Sequence, residues 1–212
     1  MRHGLMGNDG GVKSITLPWR IAAAHLREEA RAMARRPVVV GVTGPVGSGK
    51  STLARNLSDC VVGTDHYLPD YSKIEYMDRD LPRWADLDGM ASDLARLREG
   101  LAAEIPVWSF QTHRREGTQR VEPRDVIVVE GIHALTPEVA GQMDLRVFVD
   151  APTDTRWRRW EALEVSGERG WGVQAAREFF ESVAEPTFAR FASGYRDSAH
   201  YIVVNDGSPH QD

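Results

Sequence analysis

The chain has a single cysteine, Cys60, so no internal disulfide holds it together, and it is not a disulfide-stapled secreted scaffold. Lysine is almost missing as well. Of 26 basic residues only Lys13, Lys50 and Lys73 are lysine, which makes each of the three conspicuous. There is no basic excess; a net charge of −5 has the wrong sign for a face that must follow a phosphate backbone, so nucleic acid is not the expected partner. No run approaches the roughly 18 apolar residues of a membrane span. Met1 to Ser14 is Gly-rich and polar and lacks the continuous apolar stretch of a secretion signal. These absences predict a cytoplasmic chain with no membrane partner.

What is present is ordinary for a globular protein: 42% hydrophobic and 27% charged residues over 212 positions, enough for one α/β core. One domain is expected over 17–207, between a flexible leader at 1–16 and a tail at 208–212. Pro18 to about Arg35 has apolar residues at three- and four-residue spacing and predicts a helix. Val38-Val39-Val40-Gly41-Val42 is a short β-branched run, the pattern of a strand buried on both faces. Similar runs stand at Cys60–Val62, Val126–Val129, Leu145–Val149 and Tyr201–Val204. Helical stretches lie between them, at Met90 to Glu104, Thr153 to Glu164 and Gln174 to Ala192, so the alternation predicts a doubly wound parallel sheet. Ile105 to Glu122 breaks the alternation and reads as a β-hairpin inserted at the sheet edge.

Directly after the first of these strands comes Gly44-Pro45-Val46-Gly47-Ser48-Gly49-Lys50-Ser51-Thr52, which satisfies G-x-x-x-x-G-K-[ST]. Its glycines allow backbone N–H groups to curl around phosphate oxygens. Lys50 brings a cation to the β- and γ-phosphates, and the Ser51 hydroxyl can ligate Mg²⁺. A helix opening at Lys50 adds its positive dipole end. The fold class expected is therefore α/β: a P-loop NTPase, three-layer α/β/α, with a five-stranded, mostly parallel sheet. Guanine-specific proteins carry N-K-x-D after a later strand, and none occurs here. Asp86-Leu87-Asp88-Gly89 fits D-x-x-G, but two fixed positions in four are common by chance. Two strands end in acids, Asp65 and Glu130, at the carboxyl edge where ligands of doubly wound sheets sit. Such acids can hold Mg²⁺ or take the proton of an attacking hydroxyl. His66 and His133 lie beside or near them with no metal-ligand spacing, and no zinc site is expected. Cys60 reads as an inert core thiol, and Trp157, Trp160 and Trp171 read as cover for the core more than as a stacking box.

From about Val38 to Asn205 these pieces resemble the uridine kinase and phosphoribulokinase family of P-loop kinases, its uridine kinase branch most closely. Gly44 to Thr52 matches the family's phosphate loop. Asp65-His66-Tyr67 is similar to its D-x-[FY] segment, and Asp80-Leu81-Pro82-Arg83-Trp84-Ala85-Asp86 to its D-x-P-x-x-x-D run. Ile105 to Phe110 with His113 and Arg115 resembles its base-reading hairpin, Glu130-Gly131-Ile132 its E-G-I motif, and 153–172 its helical lid, which ends in Glu168-Arg169-Gly170. The resemblance implies ATP and Mg²⁺ as cofactors, with Asp65 as general base and Glu130 serving Mg²⁺ beside Ser51. It places Tyr67, Asp80, Trp108, His113, Arg115 and Arg169 at the acceptor. Arg158 would meet the nucleotide and Arg159 the transferring phosphoryl group.

The departures are specific. Trp108-Ser109 stands for the family's Tyr-Asp, which keeps a stacking face and loses a carboxylate. In the lid, Trp160 and Leu163 stand where arginines are expected. The implied activity is an ATP-dependent phosphotransferase acting on a small-molecule hydroxyl, uridine/cytidine kinase-like at a nucleoside 5′-OH. A kinase of another alcohol (pantothenate, a sugar or a sugar acid) and a non-catalytic ATP-binding regulatory protein are the alternatives. The hairpin also leaves a homo-oligomer open.

Overall fold

A computed structural model describes residues 13–207; the predicted tail and most of the leader lie outside these residues. Along them run β1 (Ile15–Pro18), α1 (Trp19–Ala32), β2 (Val38–Thr43), α2 (Lys50–Leu57) and β3 (Val61–Gly63). Four short 3₁₀ turns fill the stretch from Thr64 to Trp84 before α3 (Leu87–Arg98) and the strands β4 (Ala103–Ser109), β5 (Arg114–Val121) and β6 (Val126–Glu130). The chain closes with α4 (Pro137–Ala140), β7 (Leu145–Asp150), α5 (Thr153–Val165), α6 (Val173–Phe179), α7 (Glu185–Ser198) and β8 (Tyr201–Val204).

Six strands pair in the order β1-β8-β7-β2-β6-β3, and every pairing is parallel. The central strand shows why. All six residues of β2 are buried, and successive side chains point to opposite faces. Val38, Val40 and Val42 pack with Leu26 and Leu53 of α1 and α2, while Val39 packs with Leu94 and Phe188 of α3 and α7. Each such valine contributes about 1.5–3 kcal/mol of burial, and only a strand covered on both sides can use all of them. The result is the three-layer α/β/α arrangement.

The sheet has one strand more than the five expected. Ile15 and Thr16, assigned above to a flexible leader, and Pro18, assigned to a helix, belong to β1, whose four residues pair with Tyr201–Val204. The hairpin β4–β5 forms its own two-stranded sheet and does not join the edge of the central one. The helix expected to run from Met90 to Glu104 stops at Arg98, because Gly100 takes a left-handed φ of 79° and Leu101 N–H turns back to the Arg96 carbonyl. That over 174–192 is interrupted by a π turn at Phe180–Ala184, just before Pro186, which has no N–H to continue the ladder.

Candidate active site

The carboxyl ends of the parallel strands, the hairpin and the segment 153–172 enclose a cavity of about 430 Å³. Its floor is the loop between β2 and α2. Gly47 (φ 74°) and Gly49 (φ 104°) hold this loop in conformations closed to other residues, and each lies against a neighbour: a Cβ on Gly47 would come within 2.5 Å of the Arg156 carbonyl, and one on Gly49 within 2.5 Å of Asn205 Nδ2. At these two points the packing admits only bare backbone. Val46, Gly47, Gly49, Lys50, Ser51 and Thr52 line the cavity; Gly44, Pro45 and Ser48, also expected at the nucleotide, do not.

Lys50 is buried, and its Nζ donates to the Pro45 carbonyl at 3.0 Å. Burial lowers its pKa, opposed by Glu130 and Asp65. Ser51 Oγ donates to Glu130 Oε1 at 3.0 Å, which brings the two expected metal residues into contact. Burial pushes the Glu130 carboxyl up, and Lys50 opposes it. Among the described residues no cluster of three or more His, Cys, Asp or Glu could cage a metal. Two hard oxygen donors beside a phosphate loop are nevertheless what Mg²⁺ takes from protein, since it keeps its remaining places for phosphate and water. Ser48 Oγ is fully buried in the loop without a hydrogen-bond partner.

Asp65 sits in the 3₁₀ turn that follows β3, and Asp80 in the irregular stretch behind it; both line the cavity. The backbone at Asp80 is held by His133, whose Nε2 donates to the Asp80 carbonyl at 2.5 Å and whose Nδ1 accepts from Tyr195 Oη at 2.8 Å. Burial, then the nearby Asp65, push the Asp80 carboxyl up to about 7, with Arg169 and Lys50 opposing. The sign matters for stability. An Asp that ionises near 3.8 when unfolded and near 7 when folded binds its proton more tightly in the fold, so its stabilising contribution is complete below about pH 4 and disappears as pH rises toward 7. Asp80→Asn should raise the Tm of the ligand-free protein by about 3–6 °C at pH 8 and leave it near wild type at pH 4. A Tm gain equal at both pH values would show that Asp80 is not the titrating group.

The acceptor end of the cavity is aromatic. His113, at φ 54°, stacks on Tyr71 with ring centroids 5.5 Å apart, and Trp171 meets His113 edge-on at 5.0 Å. Trp108, from β4, packs at 4.9 Å from Tyr71 and donates Nε1–H to the Pro69 carbonyl at 3.3 Å. Burial, then Arg79, hold the His113 imidazole down at about 4, so it stays neutral through the physiological range. Trp160, Leu163 and Phe179 complete the wall. Arg169 reaches between Phe110 and Trp160, 4.5 and 5.0 Å from their rings; burial lowers its pKa, and the charges of Asp65 and Glu164 oppose this.

Besides Gly44, Pro45 and Ser48, three expected site residues face elsewhere. Tyr67 is buried in the core and donates to Asp93 Oδ2 at 2.8 Å, because two positions past Asp65 the turn has swung its side chain away from the cavity. Arg115 is spent on carbonyls: its Nε and Nη2 donate to Leu68 and Tyr67, tying the hairpin to the turn after β3. Arg158 is exposed and, among the described residues, bonds only within its own helix, to Asp154 O and Thr155 Oγ1. One residue further on the α5 surface, Arg159 does reach the loop, donating to Gly47 O at 3.1 Å and to Asn205 Oδ1 at 3.0 Å. Asn205 in turn donates to Ser48 O at 2.8 Å. Asn205, Tyr71, Arg79, His133 and Phe179 were not singled out from the sequence as site residues. Asn205 had a signal, its place at the carboxyl end of β8, but the others lie in turns and helices without one. The D-x-x-G at Asp86 is a helix cap, its carboxylate accepting from Gly89 N–H at 2.9 Å. Cys60 is a buried core thiol whose pKa burial pushes up to about 11.

The chain is similar to several known proteins. The profile of the Phosphoribulokinase / Uridine kinase family matches residues 70–208. A uridine kinase of Clostridium botulinum (strain Okra / Type B1) is 33% identical over 187 residues, covering 82% of this chain and 90% of that one. A uridine kinase of Streptococcus uberis is 32% identical over 185 residues, covering 81% and 88%. Among solved structures, one titled a "putative fructose transport system kinase" from Silicibacter sp. TM1040 aligns with a TM-score of 0.67 at 21% identity, covering 86% of this chain and 98% of that one. A protein described as a possible uridine kinase from Bacillus stearothermophilus aligns with a TM-score of 0.56 at 21% identity, covering 87% and 98%. Both structural likenesses concern the fold. Among the described residues no helix is long and apolar enough to cross a membrane.

Proposed function

Since the chain belongs to the phosphoribulokinase/uridine kinase family and is a kinase by that membership, we propose that it transfers the γ-phosphoryl group of ATP to a hydroxyl of a small acceptor. The observation that carries this reading is the meeting of three groups in one cavity: the phosphate loop with Lys50, the Ser51–Glu130 pair, and the carboxylate of Asp65. A phosphate-binding switch needs the first two. Only a transferase needs an acid beside a second, aromatic pocket.

In this reading the loop and Lys50 hold the triphosphate, and Ser51 and Glu130 hold Mg²⁺, which neutralises charge on the phosphates when bound. Asp65 accepts the proton of the acceptor hydroxyl as its oxygen bonds to phosphorus and the bond to the ADP oxygen breaks. Asp80 accepts hydrogen bonds from further acceptor hydroxyls, and Trp108 and His113 orient its ring. Arg169 and Arg159 supply positive charge at the transferring group, and the apolar wall excludes water. The aromatic wall suits a planar base, and together with the names of the relatives it makes a nucleoside 5′-hydroxyl the first reading of the acceptor. Trp160 and Leu163 in the wall, and Ser109 in the hairpin, favour a second: another alcohol.

The test is ADP release with ATP and Mg²⁺ across uridine, cytidine, pantothenate, sugars and glycerate, with Lys50→Ala as blank. Turnover with at least one alcohol, absent from the blank, is expected. ATP binding with no acceptor-dependent turnover would turn the reading into that of a non-catalytic ATP-binding protein.

A further inference from the structure

Among the described residues Arg79, at the acceptor end, makes no ion pair and no side-chain hydrogen bond, and what faces its guanidinium is aromatic. Its guanidinium lies over three rings, 5.0 Å from the centre of Tyr71, 5.1 Å from Tyr76 and 5.8 Å from Trp171. Its Nε is buried without a hydrogen-bond partner, and among the described residues Arg79 makes no ion pair. The acids beside it in sequence are engaged elsewhere: Asp78 pairs with Arg83, and Asp80 faces Asp65, Arg169 and Lys50. A guanidinium carries five donors in a fixed fork, and ring faces satisfy its charge in part but none of its N–H groups. Leaving the buried Nε–H dry is costly unless an acceptor arrives.

The position of Arg79 says where that acceptor lies. It lines the main cavity and also a second one of about 370 Å³ on the far side of a wall made by Arg79, His113 and Trp171. Among the described residues the only acid lining this second cavity is Glu178, and no ion pair joins it to Arg79. Asp65 and Lys50 mark the reacting end of the main cavity. Arg79 stands at the opposite, acceptor end, where a guanidinium can grip a planar oxyanion with two parallel bonds.

Resting on the kinase reading above, and moving its acceptor from a neutral nucleoside toward the second reading, we propose that the acceptor is an anionic alcohol, and that Arg79 holds its carboxylate or phosphate while Asp65 receives the proton of its hydroxyl. Arg79 is then the residue that selects the acceptor by charge, and a neutral alcohol of the same shape is a poor substrate.

The experiment uses the full chain and matched pairs that differ in one anionic group. The carboxylate arm compares uridine with orotidine, pantothenol with pantothenate and glycerol with glycerate; the phosphate arm compares ribulose with ribulose 5-phosphate. Each compound is assayed for ADP release and titrated by tryptophan fluorescence, since Trp108 and Trp171 bound the site. The anionic member of at least one pair should be favoured about 10- to 100-fold in kcat/KM or binding. Arg79→Gln should reduce that ratio to within about threefold, chiefly through KM, and Arg79→Lys, which keeps the charge, should retain more of it. Equal or better performance by every neutral member would overturn the proposal, as would a preference that Arg79→Gln leaves intact. Tighter binding of an anionic member without any ADP release would instead sink the kinase reading and leave the anion site standing.

Discussion

Asp65→Asn is expected to lower kcat by about 10²- to 10⁴-fold while leaving ATP affinity within a few-fold of wild type. The substitution removes a proton acceptor and almost nothing else. The Asp65 carboxylate makes no hydrogen bond or ion pair with any described residue, so no structural contact is lost with it. Its influence is electrical: it is one of the charges that support Lys50 and Arg169 and that push the carboxyls of Glu130 and Asp80 upward. A second consequence follows from that coupling. With Asp65 neutral, the Asp80 carboxyl should titrate below about 7, because one of the two causes raising it is gone. Steady-state kinetics with calorimetric ATP binding checks the first effect, and an NMR titration of the Asp80 carboxyl checks the second. An Asp65→Asn enzyme with wild-type turnover would remove the base assignment and leave Asp65 an electrostatic neighbour only.

The residues that the sequence placed well at this site share one feature: each sits in or just after an element whose direction its own pattern determines. A strand buried on both faces must end at the carboxyl edge, so Asp65 and Glu130 had to arrive near the loop that follows β2. Side-chain direction is a different matter. Arg158 and Arg159 are consecutive on α5, about 100° apart around the helix, so at most one of them can point at the phosphate loop. Which one depends on the rotation of α5, set by the burial of Trp157 and Trp160 against Phe180 and by the Arg156 fork on Glu185, none of which is local in sequence. Tyr67 failed in the same way, since the 3₁₀ turn that aims Asp65 into the cavity sends Tyr67 into the core.

The missed features have physical reasons of their own. Residues 70–85 have neither a period of two nor of 3.6, because they fold as short turns, and so Tyr71 and Arg79 carried no signal even though they define the acceptor end. Strand β1 is four residues long and borrows its strand character from pairing with β8, which a window on Ile15–Pro18 alone does not contain. The aromatic wall was half visible. Trp108 and His113 were read from the hairpin, whereas Trp171 joined them only through the turn after α5, where the Glu164 carboxylate accepts from the backbone N–H groups of Trp171 and Gly172 at 3.1 and 2.9 Å.

Lys50 provides the other large expected effect. Lys50→Met should lower kcat/KM for ATP by about 10³-fold, the loss that follows when a preorganised charge is taken from a dry site. The more telling variant is Lys50→Arg. This chain uses arginine for nearly all of its 26 basic residues, so a lysine at the opening of α2 is no general habit of composition. The geometry supplies the reason. The Lys50 ammonium folds back along its own loop to the Pro45 carbonyl at 3.0 Å, in a space bounded by Glu130 and Asp65 and closed by a loop that at Gly47 touches the Arg156 backbone. A compact point charge on a flexible stem can leave one carbonyl for a phosphate oxygen by rotating its last bonds. A planar guanidinium cannot make that exchange without displacing the loop. Lys50→Arg is therefore expected to keep the positive charge and still lose about 10²-fold in kcat/KM, with nucleotide affinity measured by calorimetry falling alongside. Activity within threefold of wild type would show that the charge alone matters and that the fit of the loop around the lysine does not.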